Sequence, residues 1–217
     1  MIHSFVLTTL AVAGLMAGAS AQTAGPSNAR TYALLTHAAF FSVEAHPANL
    51  VDPQAFVRDP AAAAATAYQG IAHVAGFRPA YGVDSPETDI FNAQGQPLRM
   101  TLGAWFGARA NVTVSPAAGG TDAAFSFAGL VPRGHYSVFE NHFAESGVTF
   151  TPADGDAKTN SFDAAADGTA TLRIRVPGAL THAEALLLVY HSDGVDHGMQ
   201  RGAIGVNVHH QLIVRVP

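Results

Sequence analysis

Histidine and carboxylate at close spacing near the C-terminus are the residues here that could do chemistry. Four of the eleven histidines, His191, His197, His209 and His210, fall between Ala183 and Pro217. His191 follows the apolar run ALLLVY, and the loop HSDGVDHG then supplies Asp193, Asp196 and His197. His209 and His210 stand side by side in a final extended segment, and upstream His135 and His142 flank Glu140. Imidazole and carboxylate are the ligands with which Zn2+, Cu2+ or non-haem iron is held when no thiolate is available. The sequence has no cysteine, which excludes disulfides, thiolate-ligated metals, iron–sulfur clusters and a Cys nucleophile. No H-x-H or HExxH spacing occurs. The metal candidates are His191, His197 and His210, with His135, His142, His209, Asp193 and Asp196 as secondary candidates. Two other readings compete. In one, His135 and His209 are solvated while His191 and His210 bond strand ends; in the other, the imidazoles take a small acidic or polar ligand or titrate as a pH sensor.

No other cofactor site or catalytic set is assigned. There is no G-x-S-x-G elbow, Walker loop or G-x-G-x-x-G. Asp154-Gly-Asp156 has Lys158 where a calcium loop wants Asp or Asn, so a surface Asx-type turn is expected.

The elements that must position these side chains are strands. GTATLRIRV (168–176) puts Ala170, Leu172, Ile174 and Val176 on one face and Thr and Arg on the other, the pattern of a half-buried antiparallel strand. ALLLVY (185–190) is apolar on both parities, as in a strand covered on both sides. NVTVS (111–115) and TDAAFSFAGL (121–130) read as two more. In Ile204–Val216, strict alternation places His210 on the apolar face with Leu212 and Val214, and His209 on the polar face. A strand over that whole span would be about 43 Å long, beyond the usual length. A bulge near the histidine pair is therefore expected, and it could turn both imidazoles to one side. Leu102–Arg109 carries the sole tryptophan, expected as a core aromatic on a helical turn or bulged strand.

Between these strands lies GLVPRGHYSV (129–138). Its Gly-Leu-x-Pro-x-Gly-x-Tyr pattern resembles the strand corner of secreted transthyretin-like and carboxypeptidase-regulatory-like modules. The resemblance covers about ten residues; it implies an antiparallel β-sandwich and carries no activity. An all-β sandwich over 86–217 is the expected fold.

The N-terminal part reads differently. FVLTTLAVAGLM followed by AGASA has the form of a signal peptide over 1–21, with Ala19 and Ala21 at the cleavage positions. Residues 22–85 are broken by Pro47, Pro53 and Pro60 and read as an irregular arm with short helices, Tyr32–Val43 as a short helix or an edge strand and Ala61–Ala67 as a helix only where something covers it.

The net charge of −5, with scattered basic residues, excludes a nucleic-acid footprint and an anionic membrane surface. No later segment reaches transmembrane length. These features together lead us to expect a bacterial protein, periplasmic or secreted. It would be a non-enzymatic binding or interaction module taking a metal, small molecule or protein partner. A small Cu-, Zn- or Fe-dependent enzyme and a surface adhesion module are the alternatives.

Overall fold

Alternation of apolar and polar side chains builds the first sheet. In Ala170–Pro177 the side chains of Leu172, Ile174 and Val176 are buried, while Thr171, Arg173 and Arg175 are exposed. The computed structural model, which describes residues 28–216, pairs that strand antiparallel with Gly120–Ala128. The sheet continues through Arg109–Ala117 to Arg30–Ala33. The expected leader at 1–21 lies outside the described residues.

The second sheet runs in the order Gly147–Pro152, His135–Ala144, Glu184–His191, Val208–Arg215, Leu35–Thr36, and Ser161–Asp163 also pairs with its second strand. One apolar core draws on both sheets: Val112, Phe125 and Ile174 from the first, Tyr136, Leu186, Leu188 and Leu212 from the second. The outer face of the second sheet is covered too. Phe40 of helix α1 (His37–Ala45) packs there against a cluster of Phe139, Leu187, Val189 and Ile213. That double cover is why ALLLVY is apolar on both parities: every residue from Ala185 to His191 is buried. The fold is all-β, its strands gathered in antiparallel sheets.

At the corner, Tyr136 is fully buried and its hydroxyl accepts from the Val131 N–H at 2.8 Å. The ring thus serves the core while its polar tip is satisfied. Gly134 is needed there, since a Cβ would lie 2.9 Å from the Val131 carbonyl oxygen.

The region expected as an irregular arm departs from that reading. A third sheet, in the order Phe77–Tyr81, Val51–Arg58, Asp89–Phe91, Pro97–Thr101, crosses the division placed at residue 86. Its central strand hid because its buried positions include Asp52, Pro53 and Gln54. Asp52 is held by the backbone N–H groups of Gln54 (2.8 Å) and Ala55 (3.1 Å) and by Trp105 Nε1–H (2.7 Å). Trp105 is a core residue on the short helix α2 (Leu102–Phe106). The bond fixes this region to the two-sheet core. Ala61–Ala67 forms no helix; Ala65–Thr66 pairs with Ala72–His73 instead. A polyalanine run without an apolar stripe has no face to bury, so propensity alone does not hold it helical.

The last strand is Val208–Arg215, and the expected bulge is present. Leu212 pairs with Leu188 and His210 with Val189, so Gln211 is the extra residue. It exchanges the two faces of the strand. His209 turns onto the inner face beside Trp105 and Tyr190, and His210 onto the outer face beside Phe150. This reverses the strict-alternation assignment. The imidazoles remain on opposite sides, and both are buried because both sides are covered.

Candidate metal centre

Antiparallel register creates the centre. His135, first residue of its strand, lies opposite His191, last residue of the next, and their rings are 5.4 Å apart. The chain then turns at once: the Gly194 N–H bonds the His191 carbonyl at 3.1 Å, with Gly194 at φ 72°. That reversal brings His197 back so that its ring is 5.4 Å from His191. Gly202 is required for the return, because a Cβ there would meet His197 Cδ2 at 2.8 Å and Val208 Cγ1 at 3.0 Å. Asn207 ties the loop shut. Its Oδ1 accepts from the Ala203 N–H (2.8 Å), and its Nδ2 donates to Asp193 Oδ2 (3.0 Å) and lies 3.1 Å from His197 Nε2. His197 Nε2 is 3.2 Å from Asp193 Oδ2.

Potential ligand atoms of His191, Asp193 and His197 thereby fall within 4.8 Å of one another. His191 is the anchor, only 1 % exposed. Its Nε2 lies 2.6 Å from the buried hydroxyl of Ser137. With the proton on Nε2 and donated to that oxygen, the lone pair resides on Nδ1, which is buried with no hydrogen-bond partner among the described residues. Burial foremost, then the neighbouring His135 and His197, lowers the His191 pKa to about 4, with Asp196 and Asp193 opposing. It is therefore neutral at pH 7, the form that binds a metal. His135 repeats the arrangement: Nδ1 meets Asp163 Oδ1 at 2.8 Å, and Nε2 is buried without a partner among the described residues. A carboxylate behind an imidazole fixes its tautomer and raises its basicity toward a metal.

The expected set is rearranged. His191 and His197 come together, Asp193 joins them, and His135 stands alongside. His210 stands apart, two residue pairs further along the strand, with both ring nitrogens engaged by Gln54 Nε2 (3.0 Å) and Arg201 (2.7 Å). Burial, with His37 and Arg201 nearby, holds its pKa well below the usual value. His209 is not solvated. Its Nδ1 lies 2.9 Å from the Gln54 carbonyl oxygen and its Nε2 3.3 Å from Ser192 Oγ. His142 lies toward the far end of its strand beside Thr151 Oγ1 (2.8 Å) and 4.0 Å from Glu140. Asp196 caps the Gly198 N–H at 3.2 Å and is not among the three clustered ligands.

Ser137, Asp163 and Asn207 escaped the reading from sequence. Ser137 carried a usable signal, because it shares the face of His135 two residues on. Asp163 and Asn207 gave none, since their roles depend on register and loop closure.

The chain matches no protein-family model, no curated protein and no solved structure.

Proposed function

We propose that this chain is an exported β-sandwich binding protein whose centre holds one transition-metal ion, Zn2+ or Cu2+, through His191, Asp193 and His197, with His135 adjacent. The observation that carries the reading is the convergence of His191, Asp193 and His197 on a closed loop, together with a buried His191 Nδ1 that has no partner among the described residues. A buried polar atom left without a hydrogen bond costs stability, and an ion at that position would remove the cost. Nitrogen and oxygen donors without sulfur suit Zn2+ and Cu2+. Export rests on the leader at 1–21, and the sandwich on the shared core of two sheets together with the resemblance at 129–138.

The test is elemental analysis and chelator-competition titration of untagged mature protein. One equivalent of metal is expected in the wild type and none in His191→Ala. Ser137→Ala should weaken binding by about 10–100-fold, the usual effect of removing a group that orients a ligand. Wild-type protein that stays metal-free after chelation and reloading would refute the reading.

A further inference from the structure

A cleft of about 380 Å³ opens beside the metal centre. One wall is Ser192, Asp193 and Asn207, so two of the groups that build the centre also line the cleft. The opposite wall belongs to the turn and strand of the third sheet and includes Gln94, Gln96 and Arg99. Arg99 is the only basic residue in the lining and Asp193 the only acidic one.

Arg99 is unusual in its backbone. It sits at φ 63° inside the strand Pro97–Thr101, in the left-handed region that a non-glycine residue rarely adopts. The pairing there is irregular: Asp89 faces Thr101 and Phe91 faces Pro97, so one residue opposes three. A bulge of this kind re-aims a side chain, and backbone strain persists where the surrounding structure enforces it. Arg99 is exposed and forms no ion pair among the described residues.

Charge then decides the class of ligand. A divalent ion bound by one carboxylate and neutral imidazoles keeps one net positive charge, and Arg99 adds a second across the cleft. The remaining polar lining is amide and hydroxyl and adds no further anion. Resting on the metal reading above, we infer that the cleft binds a small oxyanion, a phosphate or carboxylate group, held by the Arg99 fork on one side and the metal on the other. A guanidinium presents paired N–H donors that match two oxygens of such a group.

Calorimetric titration tests this with inorganic phosphate and with acetate, on protein carrying one equivalent of Zn2+, on apo-protein, and on Arg99→Gln. Zinc uptake is measured first, in both wild type and variant. The expected result is unchanged zinc stoichiometry in Arg99→Gln, phosphate or acetate binding to the zinc form, and at least about tenfold weaker binding in the variant. The phosphate and acetate arms identify which oxyanion the cleft prefers. Equal affinity in wild type and Arg99→Gln, equal affinity with and without zinc, or zinc uptake with neither anion bound would overturn the inference. Failure of the wild type to take up zinc would sink the metal reading itself, and the anion inference with it.

Discussion

Acidification should destabilise the metal-free protein well before its surface carboxylates titrate. Four buried histidines set the effect, His191 among them. Burial lowers His37 to about 3 and His191 and His209 each to about 4, and holds His210 well below its ordinary 6.5. Each is neutral in the fold and protonated in the unfolded chain between pH 6.5 and its folded value. There the unfolded state binds more protons, so stability falls as pH falls. From pH 6.5 to about 5, His37, His191 and His209 each remove roughly 2 kcal/mol, and His210 acts in the same direction. Two acids act in the opposite sense. Burial, with the charge of Glu184, raises Glu140 to about 7, and burial raises Asp52 despite its three hydrogen bonds. Glu140, protonated when folded and ionised when unfolded, returns at most roughly 2 kcal/mol over the same interval, and Asp52 acts in the same direction. The balance is a net loss of about 4 kcal/mol, a large part of the 5–15 kcal/mol typical of a domain. Urea unfolding of apo-protein, followed by Trp105 fluorescence, should show a midpoint about 1–2 M lower at pH 5 than at pH 7. Glu140→Gln removes one counterweight and should deepen the fall by about 2 kcal/mol. An equal or higher midpoint at pH 5 would refute the claim that these imidazoles are held neutral by burial.

Two substitutions test the packing that positions the centre. Trp105→Phe removes the Nε1–H bonded to Asp52 at 2.7 Å and should cost about 2–4 kcal/mol, combining an unpaired buried oxygen with lost volume. Circular dichroism during urea unfolding would measure it, and a loss under about 0.5 kcal/mol would show that the link is not structural. Gln211→Leu should be neutral or stabilising by up to about 2 kcal/mol, because both amide atoms of this buried side chain lack a hydrogen-bond partner among the described residues. A fall in melting temperature would show that the bulge depends on that amide.

What the sequence made legible follows from the range over which each physical cause acts. Thr171-Leu172-Arg173-Ile174 announces its strand because alternation is local and its outer face is wet. ALLLVY announces a strand covered on both sides for the same local reason. Val51–Arg58 did not, because its buried Asp52 and Gln54 are satisfied by partners that local reading cannot find: Trp105 for one and His210 for the other. The centre divides in the same way. His191 and His197 were visible because a short turn returns the chain onto its own strand end, and a six-residue separation needs no knowledge of the fold. Asp193 was visible only as one loop carboxylate among several, since Asn207 selects it by bonding Asp193 Oδ2. His210 shares the outer face with His191 and was lost to its own partners instead. Gln211 interrupts the period of two, which moves His210 to the outer face and leaves its ring between Gln54 and Arg201. His135 was gained through register, because the pairing that sets Tyr136 against Tyr190 also sets His135 against His191. The sheet that buries the core therefore also assembles the imidazole pair, and a slip of one residue in that pairing would take His135 and Ser137 away from His191 while leaving each local pattern intact.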